Sequence, residues 1–280
     1  MMKKSFKTIF VTGSDGFVGK NLINHLKIKK NYKIYALTKN KFKNTKLITY
    51  IKGNLKSNFS KYFIHTDIII HCAAKGVYGS LNKKKVYETN FKDSLEFFKK
   101  AKKAKVSNWI ILGTSGEYGV VKKGPMKINT KLKPINDYGK SKVKFFLKLK
   151  KINSTIKAKI IYLRLFHVYG KYEKSGRLYP SLIYSINNNR SFSMTDGSEV
   201  RDFISIKDAV KMIERSMKFF NSKNKTFFKV AHIANGKPIK VIDFVKKILL
   251  IRNSNIKLNV GKLKKEKLYD VMYSYKKSII

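Results

Sequence analysis

A tyrosine and a lysine spaced by one helical turn are the residues of this sequence best suited to acid–base chemistry. Tyr138 and Lys142 lie in the segment DYGKSK, where a helix is predicted to begin. A separation of four residues puts both side chains on one face of that helix. A lysine ammonium beside a tyrosine phenol favours the phenolate, so such a pair can exchange protons near neutral pH. In a chain so rich in lysine the spacing also arises by chance, and the pair gains meaning only from the elements around it.

A strand, a glycine-rich turn and a helix at the start of the chain form the first of these elements. Residues 8–12 are β-branched and apolar, as in a buried parallel strand, and a helical pattern follows the turn. Glycines in this register permit a tight bend, close approach to a pyrophosphate and close helix–strand packing. A turn without a ligand is the alternative, but the context favours a dinucleotide site. The predicted cofactor contacts here are Gly13, Ser14, Asp15, Gly16, Phe17, Val18 and Gly19.

The end of the second predicted strand, residues 33–37, bears on which dinucleotide binds. An acidic residue at this point binds the ribose 2′-hydroxyl of NAD, and none is present. Thr38 and Lys39 suit a 2′-phosphate instead, so NADP is predicted, with NAD as the alternative. Further strands are predicted at 47–51 and 67–71 and a helix over 83–104. The other predicted cofactor contacts follow these strands or lie in the helix: Asn54, Leu55, Cys72, Ala73, Ala74 and Asn90. His71, at the end of an apolar strand, is interpreted as structural.

The alternation of strands and helices predicts an α/β fold with a doubly wound parallel sheet. Strands at 108–112 and 159–164 and a helix at 137–153 continue it, and beyond residue 170 the alternation loosens. Helices near 179–188, 207–220 and 240–251 and a short strand at 228–233 complete the chain. We therefore predict a dinucleotide-binding domain over 1–170 and a small C-terminal α/β substrate lobe over 171–280, interleaved with it.

The net charge of +47 raises the question of a nucleic-acid or membrane partner. The basic excess is nearly all lysine and runs from end to end, whereas specific readout of phosphates and bases favours arginine. We interpret it as a compositional bias and expect no specific nucleic-acid partner. Loose attachment to an anionic membrane is a further option, but no apolar span approaches the roughly 20 residues that cross a bilayer. The single cysteine, Cys72, fits a reducing compartment, and a cytoplasmic location is expected.

Five short segments occur in an order and at a spacing more specific than any one of them. They are TGSDGFVG at 12–19, GTSGEYG at 113–119, YGKSK at 138–142, RLFHVYG at 164–170 and VRDFISIKDAV at 200–210. Together they resemble the extended short-chain dehydrogenase/reductase family, in its NAD-dependent epimerase/dehydratase branch acting on nucleotide sugars. The resemblance covers nearly the whole chain. It implies a Rossmann-type domain with a substrate lobe, a nicotinamide dinucleotide, a nucleotide-sugar substrate, no metal and a homodimer.

The resemblance also implies roles for individual residues. Tyr138 matches the catalytic tyrosine, Lys142 the lysine, and Thr114 the serine or threonine of the strand-five motif. Tyr138 would exchange a proton with a sugar hydroxyl at C4, and Lys142 would also hold the nicotinamide ribose. Outside such a constellation Thr114 is a plain strand-end hydroxyl and Arg201 a surface ion pair with its neighbour Asp202. The predicted substrate contacts are Thr114, Ser115, His167 and Arg201.

Departures from the family pattern narrow the predicted reaction. Dehydratases of the family carry an Asp-Glu pair directly after the active threonine, and this chain has Ser115 and Gly116. Glu117 lies one place further on, and its side chain is expected to point elsewhere. We therefore predict an NAD(P)-dependent epimerase or 4-keto reductase of nucleotide sugars, with Thr38 and Lys39 favouring the reductase. The alternative is a non-catalytic nucleotide- or RNA-binding protein on the same fold.

Overall fold

The secondary structure follows the predicted alternation of strands and helices. The computed structural model describes residues 7–77, 82–121, 124–264 and 271–280. Numbered in chain order, its strands are β1 (Lys7–Thr12), β2 (Tyr32–Thr38), β3 (Ile48–Lys52), β4 (Ile68–His71), β5 (Asn108–Thr114), β6 (Lys159–Leu165), β7 (His167–Tyr169), β8 (Phe192–Ser193), β9 (Val200–Ser205), β10 (Phe227–Ile233), β11 (Pro238–Lys240), β12 (Leu258–Asn259) and β13 (Val271–Met272). Its helices are α1 (Phe17–Lys29), α2 (Ser60–Phe63), α3 (Lys83–Tyr87), α4 (Ser94–Lys103), α5 (Asp137–Ile156), α6 (Leu178–Asn187), α7 (Ile206–Ser216) and α8 (Val241–Ile251).

Seven strands form one parallel sheet in the order β10-β6-β5-β4-β1-β2-β3. The chain runs outward from β1 in both directions, which is the doubly wound arrangement and confirms the predicted fold class. Thr12 at the end of β1 pairs with Leu37 of β2 on one side and with His71 of β4 on the other. Ligands of such sheets bind at the carboxyl ends of the strands, where the strand order reverses. The turns that follow β1, β2, β4 and β5 therefore meet at one edge.

Helices cover both faces of this sheet, as parallel sheets require. On one face, α1 packs Leu22, Ile23 and Leu26 against the strands, and α7 lies beside it. These side chains recur at helical spacing and so form a single apolar stripe. On the other face, α4 and α5 pack an aromatic cluster that includes Phe97 and Phe145. The helix bearing Tyr138 and Lys142 is thereby held directly against the sheet.

A smaller set of strands and helices forms the C-terminal lobe. Strand β9 pairs with β7, β11 and β13, while β8 pairs with β12. Helices α6 and α8 pack there around a separate apolar cluster containing Leu182, Phe192 and Phe244. Strand β10 returns to the main sheet beside β6, and α7 returns to α1. Residues beyond 170 thus contribute to both parts of the molecule.

Two kinds of feature are absent from the part of the chain that the structure describes. No helix there has the length and apolar character needed to span a bilayer. Nor do three or more His, Cys, Asp or Glu side chains come together in a way that could hold a metal ion.

Candidate active site

A cavity of about 590 Å³ opens at the carboxyl ends of β1 to β4. It brings together most of the predicted cofactor contacts, which come from the ends of four strands and the turns that follow them. Those in its wall are Gly13, Asp15, Gly16, Thr38, Lys39, Asn54, Leu55, Cys72, Ala73 and Ala74. Residues scattered over some 60 positions of sequence thus form one cleft, as the parallel topology requires.

The glycine turn fits a dinucleotide pyrophosphate. Gly13 has φ +64°, and a Cβ there would lie 2.8 Å from the backbone of Ala73, so a larger residue is excluded. A Cβ on Gly19 would overlap the carbonyl oxygen of Gly13, so this glycine allows α1 to approach the turn. Because Gly16 is the N-cap of α1, no side chain caps the first N–H groups of the helix. Uncapped N–H groups and the helix dipole favour an anion at this position.

Within the glycine turn, four predicted cofactor residues lie outside the cavity wall: Ser14, Phe17, Val18 and Gly19. The hydroxyl of Ser14 donates to the carbonyl of Leu37 (2.8 Å) and ties the glycine turn to β2. Phe17 and Val18 pack against the apolar cluster beneath α1, and Gly19 is buried in the same helix.

Asn90 is buried in a π-helical turn, Glu88–Asp93, that joins α3 to α4. Its amide donates to the carbonyl of Lys75 (2.8 Å) and to Ser141 Oγ (3.0 Å), and its oxygen accepts the N–H of Lys75 (2.8 Å). The structure therefore does not bring the Asn90 side chain into the cleft. It joins the loop after β4 to α5, and a cofactor contact stays a prediction.

Helix α5 docks its first turn against the turn that follows β5. Asn136 caps the helix, its side-chain oxygen accepting the N–H of Gly139 (2.8 Å). A Cβ on Gly139 would lie 2.8 Å from the carbonyl oxygen of Gly116, so the absence of a side chain permits this approach. The contact brings the helix that carries Tyr138 and Lys142 against the turn that begins after Thr114.

Lys142 is almost completely buried, at 2% exposure, while Tyr138 one turn earlier is half-buried. Burial lowers the pKa of Lys142 to about 8, against the opposing effects of Glu117 and Cys72. Burial and the nearby Lys142 charge lower the pKa of His71 to about 3. His71 is accordingly a neutral ring, bonded to Thr12 Oγ1 (2.9 Å) and Ser94 Oγ (3.0 Å), in keeping with its predicted structural role.

Thr114 is the last residue of β5 and is fixed by its own turn. Its hydroxyl accepts the N–H of Gly116 (3.2 Å), and its N–H donates to Glu117 Oε1 (3.0 Å). Ser115 is buried, with its hydroxyl 3.2 Å from the sulfur of Met272, so the structure does not bring it into the open cleft. A substrate contact for Ser115 stays a prediction.

The side chain of Glu117 points away from the cleft, as the sequence predicted, and lies in the protein core. Its carboxylate pairs with Arg164 Nε (2.7 Å) and accepts the hydroxyl of Tyr162 (2.8 Å). Arg164 Nη1 donates to the hydroxyl of Tyr118 (2.9 Å). This buried polar network supports the turn after Thr114, and sequence reasoning missed it. The available signal was the one charged residue in the strand-end motif GTSGEYG.

The predicted substrate residues His167 and Arg201 lie on the adjacent strands β7 and β9. Burial, Arg201 and Arg177 together lower the pKa of His167 to about 3, so its ring is neutral. Among the described residues, His167 Nδ1 is buried with no hydrogen-bond partner. Sequence reasoning did not find Arg177, which precedes α6.

Asp202, the neighbour of Arg201, faces the other side of β9 and is fully buried. Its carboxylate accepts the N–H groups of Asn235 (2.7 Å), Gly236 (3.0 Å) and Ser274 (3.2 Å). An exposed ion pair between Arg201 and Asp202, the alternative raised by the sequence, does not fit this burial. Asp202 instead joins β9 to the loop after β10 and to the C-terminal segment.

Known proteins are similar to this chain in sequence and in fold. An uncharacterised UDP-glucose epimerase of Bacillus subtilis is 28% identical over 224 residues, covering 73% of this chain and 71% of that protein. The CDP-abequose synthase of Salmonella muenchen is 27% identical over 262 residues, covering 91% and 84%. The UDP-N-acetylglucosamine 4-epimerase of Methanobrevibacter ruminantium M1, solved with UDP-N-acetylmuramic acid, superposes with a TM-score of 0.86 at 24% identity, covering 97% and 90%. The sequence profile of the NAD dependent epimerase/dehydratase family matches residues 9–231, and the chain belongs to that family.

Proposed function

We propose that this protein is a nucleotide-sugar 4-epimerase that uses a nicotinamide dinucleotide. The observation that carries the proposal is the docking of α5 on the turn after β5, where Gly139 approaches the carbonyl of Gly116. That contact holds Tyr138 and Lys142 next to the strand end that carries Thr114. Similarity to a UDP-glucose epimerase and to a UDP-sugar 4-epimerase fold supports the same reaction class.

The dinucleotide, when bound, supplies a site that accepts hydride from the sugar and returns it. Gly13, Gly16 and the first N–H groups of α1 would hold its pyrophosphate. Lys142 would hydrogen-bond the nicotinamide ribose. Ala73 and Ala74 leave room for the dinucleotide to lie close to the backbone after β4.

Tyr138 removes the proton of the sugar C4 hydroxyl and returns it after the keto sugar has turned over. The Lys142 ammonium, one helical turn away, stabilises the phenolate that this transfer requires. Thr114 hydrogen-bonds the same oxygen and fixes its direction. The main further contribution of the protein is to hold Tyr138, Thr114 and the sugar in the correct relative orientation.

The nucleotide diphosphate is held by arginines from the lobe. Arg201 offers a guanidinium fork suited to phosphate oxygens, and Arg177 lies close enough to lower the pKa of the same histidine. His167, neutral and with a buried ring nitrogen that has no partner among the described residues, supplies a hydrogen bond to the substrate.

A 4-keto reductase is the second candidate, and it uses the same residues. Tyr138 would then protonate the alkoxide formed at C4 instead of cycling. The observation in favour of this reaction is the sequence at the end of β2, where Thr38 and Lys39 stand in place of an acidic residue. Dehydration is disfavoured because Glu117 is committed to Arg164 in the core. A non-catalytic RNA- or nucleotide-binding protein, the candidate from a different class, has no need of Thr114, Tyr138 and Lys142 together.

The test is to incubate the purified protein with UDP-glucose, UDP-N-acetylglucosamine or UDP-glucuronic acid and to follow the C4 epimer by proton NMR. We expect Tyr138→Phe to lower turnover at least a thousandfold while dinucleotide affinity stays within twofold. Tyr184→Phe, which changes an exposed tyrosine of α6, is the matched control and retains activity. Wild-type-like turnover by Tyr138→Phe would sink the mechanism.

Other outcomes separate the candidates. Stoichiometric oxidation of NADPH by a 4-keto sugar, without epimer formation, would establish the reductase. Tight RNA binding with a steep salt dependence, and no turnover of any nucleotide sugar, would establish the binding protein. The homodimer and the cytoplasmic location remain part of the proposal, and analytical ultracentrifugation and cell fractionation test them.

A further inference from the structure

The side chain of Asp15 reaches from the glycine turn to the end of β2. Its Oδ2 accepts hydrogen bonds from Thr38 Oγ1 (3.2 Å), Asn40 Nδ2 (3.2 Å) and the N–H of Lys39 (3.4 Å). Three donors from one short segment therefore orient the carboxylate. Its position is fixed by β2, although the residue belongs to the turn after β1.

This carboxylate lines the cavity proposed to hold the dinucleotide. Asp15 is half-buried, and within the described part of the chain every hydrogen bond it accepts ends on Oδ2. Oδ1 consequently keeps its full capacity to accept from a ligand. In dinucleotide-binding sheets an acidic residue that follows the second strand accepts the ribose 2′-hydroxyl. Here the acid comes from another element and ends beside the same strand.

Lys39 is less well placed than Asp15 to bind the adenosine ribose. It approaches the Asp15 carboxylate through its backbone N–H, and its side chain is exposed. A 2′-phosphate at this point would lie against an oriented carboxylate, and like charges at such distances repel. A 2′-hydroxyl would instead donate to Oδ1.

We propose that Asp15 accepts the ribose 2′-hydroxyl and that the cleft thereby selects NAD over NADP. The proposal rests on the dinucleotide site described under the proposed function. The sequence predicts NADP from Thr38 and Lys39, and the proposal reverses that prediction because both residues orient the Asp15 carboxylate.

The experiment measures the binding of NAD⁺ and of NADP⁺ to the purified protein by calorimetry, without substrate or turnover. We expect the wild type to bind NAD⁺ at least tenfold more tightly. Asp15→Asn keeps the size and one oxygen acceptor but removes the charge, so the preference falls at least tenfold, mainly through tighter NADP⁺ binding. Asp93→Asn removes another carboxylate from the same cavity wall and changes the preference less than threefold.

A wild type that prefers NADP⁺ or binds both equally overturns the proposal, as does an Asp15→Asn variant with an unchanged preference. Thermal melting checks that each variant is folded, and if Asp15→Asn does not fold the wild-type preference decides alone. If the wild type binds neither dinucleotide, both the dinucleotide site and the proposed function are wrong. Epimerase activity with a preference for NADP⁺ would overturn only the role of Asp15.

Discussion

Glu117 and Arg164 form an ion pair in the core, with Nε and Oε2 2.7 Å apart and neither side chain more than 1% exposed. Such a pair survives burial only when its remaining donors and acceptors are satisfied. Glu117 Oε1 accepts the hydroxyl of Tyr162 and the N–H of Thr114, and the Arg164 guanidinium lies 4.7 Å from the ring centre of Phe146. The pair therefore ties β6 to the turn that carries Thr114.

Removing one charge of this pair should destabilise the whole fold. We expect Glu117→Gln to lower the free energy of unfolding by about 3–5 kcal/mol, because Arg164 remains charged and buried without its counter-ion. Urea denaturation measures the change. Glu96→Gln, at an exposed pair with Lys100 on α4, is the control and should leave the free energy of unfolding nearly unchanged. A Glu117→Gln variant as stable as that control contradicts the assignment.

The buried ammonium of Lys142 should make stability rise with pH in a defined window. Its pKa is about 8 when folded against 10.5 ordinarily, so between these values the unfolded chain binds the extra proton. The free energy of unfolding therefore increases from pH 8 to 10.5, by about 3 kcal/mol for this group. The Lys142→Met variant keeps every other lysine of the wild type. The difference in unfolding free energy between the two proteins therefore reports the titration of Lys142 alone. A difference that stays constant across the window would rule it out.

Gly139→Ala should weaken the docking of α5 even though alanine is the better helix former. A Cβ at this position lies 2.8 Å from the carbonyl oxygen of Gly116 and 3.0 Å from Pro134 Cβ, so the helix must shift. We expect a loss of about 1–3 kcal/mol, measured by urea denaturation. Thr155→Ala, at an exposed position of the same helix, should be neutral or slightly stabilising. Equal stability of the two variants would show that the close contact is not required.

Asp202→Asn should loosen the C-terminal segment. An amide offers one acceptor in place of two and turns an NH₂ group toward the N–H groups of Asn235, Gly236 and Ser274. We expect a loss of about 1–3 kcal/mol and faster hydrogen exchange at these three amides. Asp208→Asn, on the exposed first turn of α7, is the matched control. An unchanged rate of amide hydrogen exchange at Ser274 would show that Asp202 does not hold the C-terminal segment.

The elements that sequence predicted well are those whose signal is local. The turn from Gly13 to Gly19 lies between a β-branched strand and an amphipathic helix, so pattern alone located it. The seven strands of the main sheet and the long helices agree closely with prediction. The strands β7, β8, β11, β12 and β13 were missed because two or three residues show no periodicity, and the six-residue strand β9 was also not predicted.

Site details that depend on the relative position of distant segments could not be predicted. Asp15 and Asn40 are 25 residues apart, Glu117 and Arg164 are 47 apart, and Tyr118 contacts His232 across 114 residues. The sequence showed a missing acid after β2 and a misplaced acid after Thr114. Only the packed sheet shows that one of these carboxylates reaches the end of β2 and that the other lies in the core.

The position of β10 has a consequence for biosynthesis and for protein engineering. It pairs with β6 along its whole length, from Phe227 beside Lys159 to Ile233 beside Leu165. The edge of β6 therefore stays open while the ribosome makes the segment that separates the two strands. An open edge of this kind invites pairing with other chains. A fragment that stops at residue 170 would keep that edge permanently, so the dinucleotide-binding half is a poor module to express or graft by itself.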